Sequence, residues 1–361
     1  MECGKKLTKD KIKIWILHAG LEHTSPYFYN FCLELKKYNK YEYIINPNLP
    51  IDENVENGIV YFNRLKRFYN NDDFSNANDF LGNVEKLKQN GWKIVWTVHN
   101  IYPIDRNINC VDEYVTEQFL KKCDIVFTLS NYMKKSLKNN FSIDAINHGM
   151  GMAKIDNNSV NIKLKELKRE DKFTYTFIGN IYKYKMIEDI IKSFVKLKKC
   201  RLIIAGREAK NAGVNIEKLI GDNKNIVYIN SFIDENDWKK LTEVTDVFIS
   251  VYDLKFPAFK YGFFPSNYIN ITKTGIKCIS PKSKIFDEMI SKEQLITYDF
   301  NNSNGLYNAM LEAKKMNYKK ILIKQKYNYS WEEVVSKFIK GCDRLFVNHI
   351  NDKTFEKNIN K

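Results

Sequence analysis

The feature that most constrains this chain is an alternation, run through twice, of short segments rich in β-branched and aromatic residues with longer amphipathic ones. Strand-length runs fall at 12–17, 43–45, 59–62, 94–98, 125–129 and 145–146, with helical patterns such as 27–37 and 79–89 between them. A polar, Asn- and Lys-rich stretch from Ala153 to Asp171 breaks the pattern. It then restarts with strand runs at 173–178, 201–205, 226–229, 247–251 and 277–280 and helices at 187–197, 215–220, 235–242 and 268–274. Alternation of this kind predicts parallel sheets with helices on both faces. The fold class is therefore α/β, with two doubly wound, Rossmann-like domains at 1–152 and 173–330 joined by a linker at 153–172. A last helix, 331–346, and a polar tail close the chain at 331–361, and the helix is expected to cross back to the first domain. Doubly wound sheets bind ligands at the carboxyl ends of their strands, so two in succession predict a shared central cleft.

Length agrees, since 361 residues with 44% hydrophobic content supply two ordinary cores. No uninterrupted apolar run reaches the roughly 18 residues of a membrane-spanning helix, and the apolar run after the lysine-rich start, Ile14 to Leu17, is too short for a signal-peptide core. Seven scattered cysteines lack zinc spacing and are odd in number, which reads as reduced thiols in a cytoplasmic protein. The net charge of +15 fits either a solvated lysine-rich surface or contact with an anionic partner. No helix-turn-helix, RNP or zinc-finger pattern points to nucleic acid. Neither a Gly-x-x-x-x-Gly-Lys loop nor a Gly-x-Gly-x-x-Gly fingerprint occurs, which removes the common NTPase and dinucleotide readings. There is no Asp-x-Asp and there are only five histidines, so no metal site is expected.

Several segments carry a resemblance. The stretch GWKIVWTVHNIYP from Gly91 to Pro103, Ser25-Pro26-Tyr27, Ser130 and Asn147-His148-Gly149 in the first half match, in order, motifs of bacterial GT-B glycosyltransferases related to glycosyltransferase family four. In the second half FIGNIYKYKMI from Phe177 to Ile187, LIIAG from Leu202 to Gly206, SFIDE from Ser231 to Glu235 and Pro265 to Gly275 resemble that family's donor-domain motifs. The resemblance spans about residues 12–290. It implies the GT-B fold and transfer of a sugar, a hexose by expectation, from a nucleotide-diphosphate donor to a hydroxyl acceptor in surface polysaccharide or glycoconjugate synthesis. UDP-sugars are favoured over GDP-sugars, with no metal or other cofactor. The chain departs from the family where its paired acidic residues fall on Gly262 and Asn270, and where the basic residue after the diphosphate-loop glycine is Asn180. A non-catalytic GT-B protein that binds a sugar nucleotide or supports a partner transferase is the alternative.

The donor's diphosphate gains charge as the glycosidic bond breaks, so its site needs fixed cations or N–H donors. Lys185, with Lys183, follows a strand and opens a helix, where ammonium and helix N-terminus act on one anion. Gly179, Asn180, Arg207, Pro265, Ser266, Asn267 and Asn270 complete the expected donor set. Phe232 and Ile233 either face the nucleobase or pack in the core. Ser266 and its neighbours read equally as a helix cap. His99 ends a strand before a Pro-containing loop and either bonds the sugar, relays a proton or anchors the loop. Asp105 is either the general base of an inverting transfer or a solvated acid. Gly20, Ser25, Pro26, Tyr27, Asn100, Ser130 and His148 are expected at the acceptor side of the cleft, His148 more as a turn former than a proton carrier. Basic clusters at Lys5-Lys6, Lys9-Lys11-Lys13, Lys36-Lys37 and Arg64 to Arg67 suit peripheral contact with an anionic leaflet bearing a lipid-linked saccharide acceptor.

Overall fold

The structure is a computed structural model that describes residues 11–18, 26–70, 72–104, 106–152, 164, 167–168, 171–209, 212–316 and 329–346. These divide into two compact units, one drawn from Met1–Tyr102, Ile108–Gly151 and Tyr329–Lys361, the other from Pro103–Asn107 and Met152–Asn328. The loop Pro103–Asn107, expected with the first domain, is thus grouped with the second unit. Most of the expected linker lies outside the described residues.

The first unit is built on β1 (Ile12–Leu17), β2 (Tyr41–Asn46), β3 (Gly58–Phe62), β4 (Trp92–Val98), β5 (Ile125–Thr128) and β6 (Ile146–Asn147). They form one parallel sheet in the order β2-β1-β3-β4-β5-β6, with the winding direction reversing between β1 and β3. All five residues of β3 are buried, as are six of the seven of β4, because helices cover both faces and leave no side that tolerates a polar alternation. Those helices are α1 (Pro26–Leu35), α2 (Phe74–Gln89), α3 (Cys110–Lys122) and α4 (Asn131–Phe141). The Asp73 carboxylate caps α2 by accepting from the Ser75 and Asn76 N–H groups, and Ala77, Phe80, Leu81, Val84 and Leu87 form its buried stripe. Asn109 and Asp112 make a capping box on α3, and Asp112 is buried and also accepts from the Tyr69 hydroxyl at 2.7 Å.

The helix at the end of the chain, Trp331–Asp343, belongs to this same unit, as expected. Ser330 and Glu333 cap it, and it buries Trp331, Val334, Val335, Phe338, Ile339 and Cys342. The Phe338 ring lies 5.1 Å from Phe31, 5.0 Å from Tyr61 and 5.1 Å from Phe127, joining α1, β3 and β5. At its far end the Asp343 carboxylate meets the Lys40 ammonium at 2.6 Å and accepts from the Tyr41 hydroxyl.

The second unit repeats the plan with β7 (Phe173–Ile178), β8 (Cys200–Ala205), β9 (Ile226–Ile229), β10 (Val247–Ile249), β11 (Cys278–Pro281) and β12 (Leu295–Tyr298). The order β12-β11-β10-β7-β8-β9 puts its reversal between β7 and β10. Helices α5 (Ile187–Phe194), α6 (Ile216–Ile220), α7 (Glu235–Val244), α8 (Pro257–Tyr261), α9 (Asn267–Thr274), α10 (Lys284–Met289) and α11 (Gly305–Lys315) connect them, and we denote the Trp331–Asp343 helix α12. Tyr175, Leu202, Ile204, Val247 and Ile279 of the sheet pack with Ile190, Phe194, Leu306 and Met310 of α5 and α11 as one core. The strand expected at 247–251 stops at Ile249, and β12, α8, α10 and α11 have no counterpart among the expected elements.

Candidate functional site

The winding reversal of the second sheet gathers the expected donor residues. Immediately beyond β7 the backbone turns at Gly179 with φ +128°, and a Cβ there would come 2.3 Å from the Asn267 amide nitrogen. On the next strand Gly206 has φ +158°, and a Cβ on it would lie 2.0 Å from the Gly179 carbonyl oxygen. Only glycine lets the two turns approach this closely. Asn267, at the start of α9, donates from Nδ2 to the Ile178 carbonyl at 2.8 Å and ties the helix to the end of β7. Ser266 is exposed and makes no capping bond, so the cap reading of that residue is not what the structure holds.

Lys185 closes a 3-10 turn, Lys183–Lys185, between the Gly179 loop and α5. Only 6% of its surface is exposed, and its Nζ lies 3.8 Å from the centre of the Tyr252 ring, which follows β10 on the other side of the reversal. No hydrogen bond or ion pair reaches that ammonium among the described residues. Burial alone pushes its pKa down to about 7. The site therefore holds a buried cation without a counter-charge, the arrangement that an arriving anion relieves. Tyr252 escaped the sequence reading.

The other expected donor residues spread along the same strand ends. Ile181 N–H donates to the Arg207 carbonyl at 2.9 Å and Ala209 N–H to the Ile181 carbonyl at 3.0 Å, so the loops after β7 and β8 run as an extension of the sheet. Asn180, Lys183 and Arg207 are exposed on it. Phe232 is 47% exposed after β9, which removes core packing as the reason for that residue, whereas Ile233 is half-buried. Pro265 is buried and Asn270 half-buried in α9. Among the described residues no group of three or more His, Cys, Asp or Glu side chains could hold a metal ion.

In the first unit, His99 follows β4 and is half-buried, with the Tyr27 ring edge-on at 4.4 Å and 84°. Burial, then Arg64 and His148, pushes its pKa down to about 3. A neutral imidazole is a hydrogen-bonding group at physiological pH rather than a proton relay. Asn100 beside it is half-buried. Three residues expected at the acceptor side are buried. His148 is fully buried: its Nδ1 donates to the Gly149 carbonyl at 2.6 Å, which fixes the tautomer, and its Nε2 accepts from the Thr97 hydroxyl at 3.2 Å. Ser130 is buried and its hydroxyl accepts from the Met133 N–H to cap α4. Tyr27 is buried, its ring 5.2 Å from that of Trp331. Pro26 begins α1, while Gly20, Ser25 and Asp105 lie outside the described residues.

The basic clusters fare unevenly. The Lys37 ammonium is paired with Glu34 at 2.6 Å, and Arg67 donates to the Leu17 and Pro47 carbonyls at 3.4 Å. Arg64 is exposed, whereas Lys5, Lys6 and Lys9 lie outside the described residues. No described helix is long and apolar enough to cross a membrane.

No family model matches the chain. It is 25% identical over 254 residues to an uncharacterized glycosyltransferase of Methanocaldococcus jannaschii, a match that covers 65% of this chain and 62% of that one, less than two thirds of the relative's length. A glycosyltransferase from Rickettsia africae ESF-5 superposes with a TM-score of 0.63 at 15% identity, covering 94% of this chain and all of that one. An Anabaena protein solved with UDP and glucose gives a TM-score of 0.59 at 11% identity, covering 97% and 100%. Two six-stranded parallel α/β units and these likenesses establish the fold as the GT-B type.

Proposed function

We propose that this chain is a metal-independent glycosyltransferase, related to family four, that moves a hexose from a nucleotide-diphosphate donor to a saccharide hydroxyl in surface polysaccharide or glycoconjugate synthesis. The observation that carries the reading is Lys185, a buried cation without a counter-charge among the described residues, at the winding reversal of the second sheet. The ammonium meets the donor diphosphate and stabilises the charge that collects on the leaving nucleotide. Since the Gly179, Ile181, Tyr268 and Ile269 N–H groups are taken up by backbone carbonyls, the Asn180 and Asn267 N–H groups are the further donors there. Arg207 and the exposed Phe232 ring on neighbouring strand ends suit the remainder of the nucleotide. UDP-linked donors are the first choice, supported by the UDP of the structurally similar Anabaena protein.

On the acceptor side His99 serves as a neutral hydrogen-bond partner of the transferred sugar, and Asp105 as the base for the acceptor hydroxyl. The enzyme works in the cytoplasm, and exposed basic residues such as Arg64 hold it at an anionic membrane face where the acceptor is lipid-linked. Salt-reversible sedimentation with anionic but not neutral vesicles checks that part.

The test of the central reading is thermal shift with UDP and UDP-hexoses in the presence of EDTA. Occupancy at about 100 times Kd stabilises the native state by about 2.7 kcal/mol. A shift with UDP that Lys185→Ala abolishes supports the assignment, and equal shifts in both proteins remove it. Binding without transfer to any hydroxyl acceptor would favour the non-catalytic alternative.

A further inference from the structure

We propose that Tyr252 is the positioning residue of the donor site, its ring face holding the Lys185 ammonium in place and in its charged form. The inference rests on the reading of Lys185 as the diphosphate cation and concerns how the chain keeps that cation ready. A buried ammonium without a carboxylate partner should lose its proton or swing towards water. Lys185 does not swing away: its Nζ sits over the Tyr252 ring at 3.8 Å, inside the range of a cation–π contact, with the Tyr184 ring at 5.6 Å on another side.

The ring cannot turn away. Tyr252 is fully buried, and its ring is packed by Phe259 at 5.5 Å, Phe263 at 5.4 Å, Tyr268 at 6.1 Å and Phe286 at 5.4 Å, side chains contributed from α8 to α10. Its hydroxyl has Ser250 as its neighbour, so what the residue turns towards Lys185 is the ring face. A carboxylate in the same place would pair with Lys185 and have to be displaced by the donor. An aromatic quadrupole stabilises the charge without neutralising it, and so leaves it available to a diphosphate.

The charged neighbourhood is simple. The phenols of Tyr252 and Tyr268 are pushed up by burial and stay neutral. Lys183, Asp189 and Asp253 lie on the adjoining segments, and burial is what pushes the pKa of Lys185 down. Loss of the ring face should therefore lower the pKa of Lys185 further, by about one pH unit for a contact of ordinary strength.

The experiment compares wild type, Tyr252→Phe and Tyr252→Leu in two arms. In the first, the pH profile of Lys185 acylation by acetic anhydride, read by mass spectrometry on the protein without nucleotide, is expected to keep its midpoint in Tyr252→Phe. In Tyr252→Leu the midpoint should fall by about one pH unit. In the second, UDP affinity of Tyr252→Leu should drop about tenfold at pH 8 but only about twofold at pH 6, where the lysine is largely protonated in wild type and about half protonated in the variant. Tyr252→Phe should follow wild type at both. An unshifted acylation profile in Tyr252→Leu, or an equal loss of UDP affinity at both pH values, would overturn the assignment and leave Tyr252 a packing residue. The first arm needs no nucleotide, so the role of Tyr252 is judged even if Lys185→Ala binds UDP like wild type, the outcome that would sink the donor reading instead.

Discussion

Replacing Lys185 by Met should make the protein more stable while it destroys nucleotide binding. In the unfolded chain the ammonium titrates at its ordinary 10.5, whereas in the fold burial pushes it down to about 7. At about 1.36 kcal/mol per pH unit, that interval sets a ceiling of about 5 kcal/mol on the cost of folding the lysine at neutral pH. The Tyr252 face beneath it returns about 0.5–2 kcal/mol. A Met of similar length keeps the packing and carries no charge, so Lys185→Met should gain about 3 kcal/mol at pH 7. The sign fixes a second requirement. Between the two pKa values the unfolded state holds the proton and the folded state does not, so folding becomes easier as pH rises. By pH 10 the advantage of Met over Lys should shrink to about 1 kcal/mol or less. Urea titrations of both proteins at pH 7 and pH 10 measure this directly, and the other titrating groups cancel in the comparison. A variant no more stable than wild type at pH 7, or a gap that persists unchanged at pH 10, would refute the account of Lys185 as a buried cation without a partner.

Three further outcomes follow from the same geometry. Gly206→Ala should cost about 3 kcal/mol or more, since its Cβ would drive into the Gly179 carbonyl at 2.0 Å, and it should weaken UDP binding in the thermal-shift assay by displacing the Gly179 loop. Stability should fall as pH drops below about 6.5, because His148 and His99, held down to about 4 and about 3, stay neutral in the fold while the unfolded chain takes up protons; His148→Asn, which keeps an N–H for the Gly149 carbonyl, should remove close to half of that acid slope between pH 6.5 and 4 in urea titrations. Phe338→Ala should destabilise the first unit by about 3–5 kcal/mol, since the ring fills the junction of Phe31, Tyr61 and Phe127, and a urea midpoint close to wild type would show that α12 is not integral to that unit.

The strands were legible because a parallel sheet covered on both faces leaves no freedom in composition: 12–17, 173–178 and 226–229 stand in the structure with the bounds read from the sequence. Apart from the eleven-residue α11, what escaped was short or one-sided. β12 has four residues, with Thr297 exposed, and α8 and α10 span five and six residues, too few turns for a helical period to declare itself. The site divides along a different line. Gly179, Gly206, Ser130 and His148 were all found through motifs, yet the structure uses them to shape backbone: two turns that admit no Cβ, a helix cap, and an imidazole locked between Thr97 and Gly149. Lys185 was found the same way and carries charge. A motif records that a position is demanding and does not say whether the demand is steric or chemical. The separating quantity is burial combined with hydrogen-bond satisfaction: His148 is buried with both ring nitrogens engaged, whereas Lys185 is buried with its ammonium on a ring face alone. Tyr252, which supplies that face, was one of 22 tyrosines with no local signature, because what places it is the reversal of the sheet between β7 and β10. Residues recruited by strand order rather than by neighbouring sequence become visible only once the order is known, and at a winding reversal they are the ones most apt to bear on a ligand.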